Sequence, residues 1–326
     1  MSYRVLISDA KAETVDHNLQ DDVLSQYGAE AISTVTREEE TLIERLEEVH
    51  GLIVDAAVPV TETVIRRATD LRVIGRAGIG IDNVDLEAAA EKDVVVVHHP
   101  TYSIDEVATQ AIALMLNCVR GVTRYDRATR AGTWDWTVAA PIPRMQGSTI
   151  GLLGFGKVPQ RVATMLGGFG CELLAHDPYV DDDIITARNV APVGFDQLCD
   201  RSDILSIHAG LTPETRGMVD ADALCRLGPD ATVVNTARGQ IIDTAALLDQ
   251  LRGEGLHAVG LDVTDPEPLP ADHELFAFEN VVVTPHMAWY SEASRVKVSR
   301  EVATDVGRVL CGEPPERPVE LDKPWL

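Results

Sequence analysis

The sequence predicts an α/β protein of two domains, a small parallel-sheet domain followed by a larger doubly wound one. Three observations carry that reading. Short apolar runs alternate with amphipathic segments along nearly all of the 326 residues, the pattern of parallel strands covered by helices on both faces. One run, Ile150 to Leu153, ends in Gly154-Phe155-Gly156, passes into a helical pattern and meets a second apolar run that stops at Asp177; this is one βαβ unit. The length suits about two domains, each able to bury its own core.

In the first domain Arg4 to Ser8 reads as a strand and Ala31 to Val35 as a weaker one. Residues 38–49 have helical spacing through Leu42, Ile43, Leu46 and Val49. Leu52 to Val54 is a third strand, and Thr61 is the N-cap of a helix that turns Val64 and Ile65 inward. Leu71 to Ile74 is a fourth strand, leading into Gly75-Arg76-Ala77-Gly78-Ile79-Gly80, and after a short acidic helix Val94 to Val97 is the fifth. Ser103 to Val119 then forms a strong amphipathic helix that enters the second domain. Residues 132–147 read as a loop. Its Trp134 and Trp136 suit a satellite core or a subunit contact, with the contact favoured.

The second domain repeats the alternation, with six strands at Ile150–Leu153, Leu173–Ala175, Ile204–Ile207, Thr232–Val234, Ala258–Leu261 and Val281–Val283. A long helix from Glu292 to Leu310, with Val296, Val298, Val302 and Val306, is expected to cross back onto the first domain, which lacks a closing helix of its own. The expected domains are therefore residues 1–101 with 290–326, and residues 102–289.

The glycine-rich turn carries a specific chemistry. Gly154 permits a tight turn, and Gly156 has no Cβ to obstruct a pyrophosphate. The helix that starts at Lys157 and Val158 offers N–H groups without intrahelical partners. Asp177, about twenty residues further on, suits the ribose hydroxyls of NAD, and its charge disfavours the extra phosphate of NADP. Pro159 replaces the usual third glycine, a change tolerated in a helix's first turn.

Ligands of open parallel sheets bind beyond the carboxyl ends of the strands, so the residues following each strand are the candidates. They include His208 with Thr212, then Thr236-Ala237-Arg238, then Asp262 with Glu267, and finally His286 with Trp289. An arginine, a glutamate and a histidine from separate strand ends can reduce a 2-oxo acid. Arg238 would hold the carboxylate and polarise the oxo group. His286 would donate the proton as hydride reaches carbon, and Glu267 would favour its imidazolium and orient the ring. His208 reads as a structural or cofactor-lining residue and Asp265 as a solvated loop acid. His98 and His99 receive no role.

Composition narrows the classes further. A formal net charge of −24 argues against nucleic acid or an anionic membrane as partner. Lysine occurs only at 11, 92, 157, 297 and 323; such an acidic, lysine-poor surface resembles proteins of salt-loving organisms, and the alternative is a high-GC genome with an acidic bias. No apolar run reaches the ~20 residues that span a bilayer, and no signal-peptide pattern opens the chain. Five scattered cysteines without metal spacing suit reduced thiols in a cytoplasm. Cys199, Cys225 and Cys311 lie in apolar helical patterns and are expected in the core.

At these residues the sequence resembles the NAD-dependent D-2-hydroxyacid dehydrogenases, over nearly the whole chain. The matching parts are Gly154-Phe155-Gly156-Lys157-Val158, Asn235-Thr236-Ala237-Arg238-Gly239, Asp262 with Glu267-Pro268, and Thr284-Pro285-His286. The resemblance implies a flavodoxin-like substrate domain and a Rossmann nucleotide-binding domain, with Arg238, Glu267 and His286 catalytic. It implies that Asp262 holds the nicotinamide carboxamide and that Thr212 and Thr236 line the cofactor. Gly78 and Ile79 match a loop whose N–H groups meet the substrate carboxylate, in a family whose domains close over substrate and whose members commonly dimerise through the nucleotide domain. Residues 75–80 and 286–292 look most like the C-terminal binding proteins, which implies Arg76 as a second carboxylate contact and Trp289 as an apolar wall. The expected activity is NAD-dependent interconversion of a small D-2-hydroxy acid and its 2-oxo acid. The rivals are phosphoglycerate dehydrogenase within the family and an NAD(H)-sensing, corepressor-like binding protein outside the enzymes.

Overall fold

The computed structural model describes residues 2–9 and 15–320; the expected domain ends at 1 and 321–326 lie outside them. The chain forms two compact units, Met1–Ser103 with Tyr290–Leu326, and Ile104–Trp289.

In the first unit the elements run β1 (Tyr3–Ser8), α1 (His17–Ser25), β2 (Ala29–Thr34), α2 (Glu39–Arg45), β3 (Gly51–Val54), α3 (Glu62–Arg67), β4 (Val73–Arg76), α4 (Leu86–Glu91) and β5 (Val95–Val97). The strands form one parallel sheet in the order β2-β1-β3-β4-β5, the flavodoxin-like arrangement. Thr61 caps α3 as expected, its hydroxyl accepting from the Val64 N–H, and Val64 and Ile65 are buried.

Four local expectations change in this unit. Helix α1 has no counterpart in the sequence reading, because only Gln20, Val23 and Leu24 are buried on it and the apolar pattern is thin. Helix α2 stops at Arg45; Leu46 and Val49 still reach the core, but through a turn in which Glu48 takes φ 56°. Strand β2 begins and ends earlier than expected, leaving Val35 59% exposed. Strand β4 begins two residues late and includes Arg76, since Leu71 and Arg72 lead into the sheet and only Val73 onward pairs.

The second unit contains α5 (Ile104–Arg120), α6 (Val122–Arg130), β6 (Thr149–Leu153), α7 (Lys157–Leu166), β7 (Glu172–His176), α8 (Asp182–Thr186), β8 (Ala191–Pro192), α9 (Phe195–Arg201), β9 (Ile204–Ile207), α10 (Ala221–Leu227), β10 (Thr232–Asn235), α11 (Thr244–Arg252), β11 (Ala258–Leu261) and β12 (Val281–Val283). Its parallel sheet has the order β12-β11-β10-β9-β6-β7-β8. The seventh strand, β8, is two residues long and contains a proline, so no apolar run announced it. Separate apolar clusters cover the two faces, one around Leu153, Leu205, Val233 and Val259, the other around Ile150, Leu152, Met115 and Val162. The direction in which the sheet grows reverses between β6 and β9, and that switch point is where such sheets bind dinucleotides.

The chain returns to the first unit as α12 (Glu292–Leu310), entered through a capping box in which Ser291 and Ser294 bond reciprocally. The helix lies so close to the first sheet that a Cβ on Gly75 would come within 2.7 Å of Val302 and Val306. Val298, Val302 and Val306 are buried as expected, whereas Val296 is 39% exposed because it falls on the outer side of the turn. Of the three cysteines expected in the core, Cys199 is buried; Cys225 lies on the outer side of α10 and Cys311 at the end of α12, both exposed.

Candidate active site

The register of the second sheet places the candidate residues in one row. Val283, Leu261, Asn235, Ile207, Leu153 and His176 are successive partners across β12, β11, β10, β9, β6 and β7. The residues immediately after them are Thr284, Asp262, Thr236, His208, Gly154 and Asp177. The ladder continues one step into this row: the N–H groups of Thr284, Asp262, His208 and Gly154 donate to Leu261, Asn235, Leu153 and His176.

At the switch point Gly154 has φ 91°, and a Cβ there would sit 2.8 Å from the Ala209 nitrogen. Backbone conformation and lack of space both demand glycine. Around Gly156, by contrast, a Cβ would meet nothing within 4 Å, so the space in front of the turn is open. Asp177 holds this turn from the neighbouring strand: its carboxylate accepts from the Phe155 N–H at 2.7 Å and the Tyr179 N–H at 2.9 Å. Gly156 is the N-cap of α7, and Lys157 and Val158 begin it with no side-chain cap among the described residues. Pro159 is the third residue of that helix and is buried, so its missing N–H falls among those that have no intrahelical partner.

Beyond β9, His208 is partly buried and its Nε2 lies 2.8 Å from the Ser206 hydroxyl. Burial penalises the charged ring and holds its pKa down at about 4. Thr212 closes a small turn with Thr215, donating its N–H to the Thr215 hydroxyl at 2.8 Å. After β10 the Asn235 side chain organises the next three residues, accepting from the Ala237 N–H and donating to the Arg238 carbonyl. The half-buried Arg238 donates from Nη1 to the Ala237 carbonyl at 2.7 Å. The next residue, Gly239, is pressed against the loop after β11; a Cβ there would lie 2.1 Å from Thr264 backbone atoms. The segments carrying Arg238 and Glu267 are therefore packed backbone to backbone.

His286 and Glu267 come together directly, with Nδ1 2.6 Å from Oε1. The carboxylate requires the proton on Nδ1, which leaves Nε2 for other chemistry. His286 has φ 52°, a left-handed conformation uncommon for a non-glycine residue. Asp262 surrounds it with bonds: its carbonyl accepts from the His286 N–H, Oδ1 accepts from the Met287 N–H and Oδ2 from the Ala288 N–H. The half-buried Trp289 donates its indole N–H to the His286 carbonyl at 3.2 Å.

Residues 112–288 match the model of the D-isomer specific 2-hydroxyacid dehydrogenase, NAD binding domain. The chain belongs to the D-isomer specific 2-hydroxyacid dehydrogenase family. It is 34% identical over 300 residues to a D-3-phosphoglycerate dehydrogenase of Methanocaldococcus jannaschii, covering 92% of this chain and 57% of that protein. It is 35% identical over 293 residues to the D-3-phosphoglycerate dehydrogenase of Mycobacterium leprae, covering 87% and 55%. The chain thus spans about half the length of these curated relatives. A crystal structure of a Thermus thermophilus protein matches with TM-score 0.87 and 32% identity over 97% of this chain and all of the other.

The family's cofactor, NAD, fits the residues present. The row supplies a glycine turn with open space before it, an uncapped helix start and an acid at the end of β7. Thr236 adds a buried hydroxyl that has no hydrogen-bond partner among the described residues. Asp262, by contrast, is 1% exposed and engaged by its own loop, so its visible work is to hold residues 284–288.

The other candidates lie in the first unit, around the end of β4. Arg76 is 5% exposed and folds back over Gly78, where a Cβ would lie 1.4 Å from its Nη1. It donates to the Ala77 carbonyl at 3.1 Å. The Gly78 and Ile79 carbonyls are both occupied, by the His99 N–H and His98 Nδ1. The two histidines given no role are thus buried supports of this loop. His99 also faces Glu301 at 3.6 Å, with Asp305 and Arg317 nearby, and burial lowers its pKa. Trp134 and Trp136, 91% and 79% exposed, form no satellite core; the loop carrying them is anchored through Ala139 and Met145 instead.

Proposed function

We propose that this chain is an NAD-dependent dehydrogenase that interconverts a D-2-hydroxy acid and its 2-oxo acid, with 3-phosphoglycerate the first substrate to test. The observation that carries the reading is the 2.6 Å pair of His286 and Glu267, in line with an arginine-bearing loop and a dinucleotide turn along one sheet edge. Bound NAD supplies the hydride acceptor. In oxidation His286 Nε2 takes the proton of the substrate hydroxyl, and in reduction it returns it. Glu267 keeps the ring in the Nδ1–H form and stabilises the imidazolium that results. Arg238 binds the carboxylate and draws electron density from the oxo group. Asp177 selects NAD over NADP, while the helix start at Lys157 and Val158 receives the pyrophosphate. Thr212, Thr236, Ala237 and His208 line the cofactor, while the buried Asp262 holds the loop that carries His286. Gly78, Ile79, Arg76 and Trp289 are the proposed substrate contacts.

The choice of 3-phosphoglycerate is supported by the names of relatives at 34% and 35% identity. A second reading, a small unphosphorylated acid such as D-lactate, is favoured by the burial of Arg76, the cation that the sequence reading assigned toward a phosphate. An assay of 3-phosphoglycerate, D-lactate and D-glycerate with NAD, and of the matching oxo acids with NADH, separates the two. Turnover of 3-phosphoglycerate at the highest kcat/KM supports the first reading. Turnover of D-lactate alone supports the second. No turnover at saturating NADH leaves an NAD(H)-sensing binding protein. The exposed tryptophans and the family resemblance further support a homodimer formed through the nucleotide-binding unit, which sedimentation of the purified protein tests.

A further inference from the structure

Thr284 occupies the row of strand-end residues yet belongs to no role described above. It follows Val283 on β12, next to Asp262. Its hydroxyl donates to Asp262 Oδ1 at 2.5 Å and accepts from Gln110 Nε2 at 3.3 Å. Gln110 stands on α5, a long helix held tightly against β11: a Cβ on Gly260 would lie 3.1 Å from both Cys118 and Leu114. The helix therefore cannot shift without disturbing the sheet.

From this fixed point the bonds run in one direction, Gln110 to Thr284, Thr284 to Asp262. The Asp262 oxygens then receive the N–H groups of Met287 and Ala288, the two residues following His286. Asp262 is 1% exposed, so its carboxylate depends on these donors instead of water. Hydrogen bonds to a buried charge are the strong class. Between them lies His286 in its left-handed conformation, which persists only where the surroundings enforce it.

We propose that Thr284 is a positioning residue: with Gln110 it orients the Asp262 carboxylate, and through it the backbone that aims the His286 ring. Thr284 itself touches neither ring nor substrate in this role. The inference rests on the reading of His286 as the acid/base group, and its test includes a readout that does not need turnover.

The test compares Thr284→Val, which keeps the shape and removes the hydroxyl, with Thr284→Ser, which keeps the hydroxyl. Thr284→Val should lower kcat about 10- to 100-fold, the scale of a small misplacement of a reacting group, with the NADH Kd within about threefold of wild type. Thr284→Ser should restore kcat to within about threefold. In histidine-labelled protein, the Nδ1 proton of the His286–Glu267 pair, assigned by its loss in His286→Gln, should broaden or vanish in Thr284→Val and persist in Thr284→Ser. Wild-type kcat and an unchanged signal in Thr284→Val would overturn the proposal, as would equal losses in both variants. Should Thr284→Val fail to fold by circular dichroism, Gln110→Leu replaces it, and a wild-type signal there overturns the proposal too. A protein that turns over no hydroxy acid but shows the expected signal changes retains the positioning role and loses the dehydrogenase reading.

Discussion

Glu267 Oε1 lies 2.6 Å from Nδ1 of His286, although the two residues sit on different strand-end loops, one after β11 and the other after β12. The pair dictates the first prediction. His286→Ala should lower kcat by about 10²- to 10⁴-fold, the usual worth of a general acid–base group, while NADH binding measured by fluorescence titration changes little. Glu267→Gln should fall less far, since it keeps a hydrogen-bond acceptor and loses the charge. Parallel losses of turnover and NADH binding in His286→Ala would make His286 structural.

Asp177 carries two duties in one carboxylate, the bond to Phe155 N–H and the proposed contact with ribose. Asp177→Ala should weaken NADH and narrow the gap to NADPH. It should also lower the melting temperature of the apoprotein, because a charge-assisted bond to the turn is lost. An unchanged NADH-to-NADPH ratio of kcat/KM would remove the residue from cofactor selection.

Gly239→Ala should act through the backbone. Its Cβ would lie 2.1 Å from Thr264, so the segments bearing Arg238 and Glu267 must separate. Overpacking of this kind costs about 1–3 kcal/mol, and kcat should fall with stability. A variant with wild-type melting temperature and kcat would show that these loops are not in tight contact.

His208 predicts a pH dependence of stability. Its folded-state pKa is depressed from the ordinary 6.5 to about 4 by burial, so between those values the unfolded chain binds a proton that the folded chain does not. Stability then falls as pH falls through that window. Carboxylates titrate there as well, so the measurement is the difference between wild type and His208→Gln. Denaturation midpoints should drop more steeply for the wild type from pH 6.5 to 4, and parallel curves would refute the shift.

Local patterns were legible where one residue type has one cause. The strand ending at Leu153, the Thr61 cap and the whole of α12 follow from apolar periodicity and capping chemistry. Helix α1 and strand β8 were not, because their apolar content is too thin to form a pattern and tertiary packing decides them. His98 and His99 illustrate the same limit. Nothing in two adjacent histidines says that one supports the Ile79 carbonyl and the other faces Glu301.

The sequence by itself determined the α/β class and the glycine turn after β6, and it singled out Arg238, Glu267 and His286 as candidates, since each reading rests on a local pattern or on the rule that parallel strands end on one edge. Only the tertiary structure decided that Arg76 folds over Gly78, that Trp134 and Trp136 stay exposed, and that Gln110, Thr284 and Asp262 join behind His286. Those relationships depend on side-chain direction and on contacts between segments as far apart as residues 110 and 284, and no local pattern encodes either.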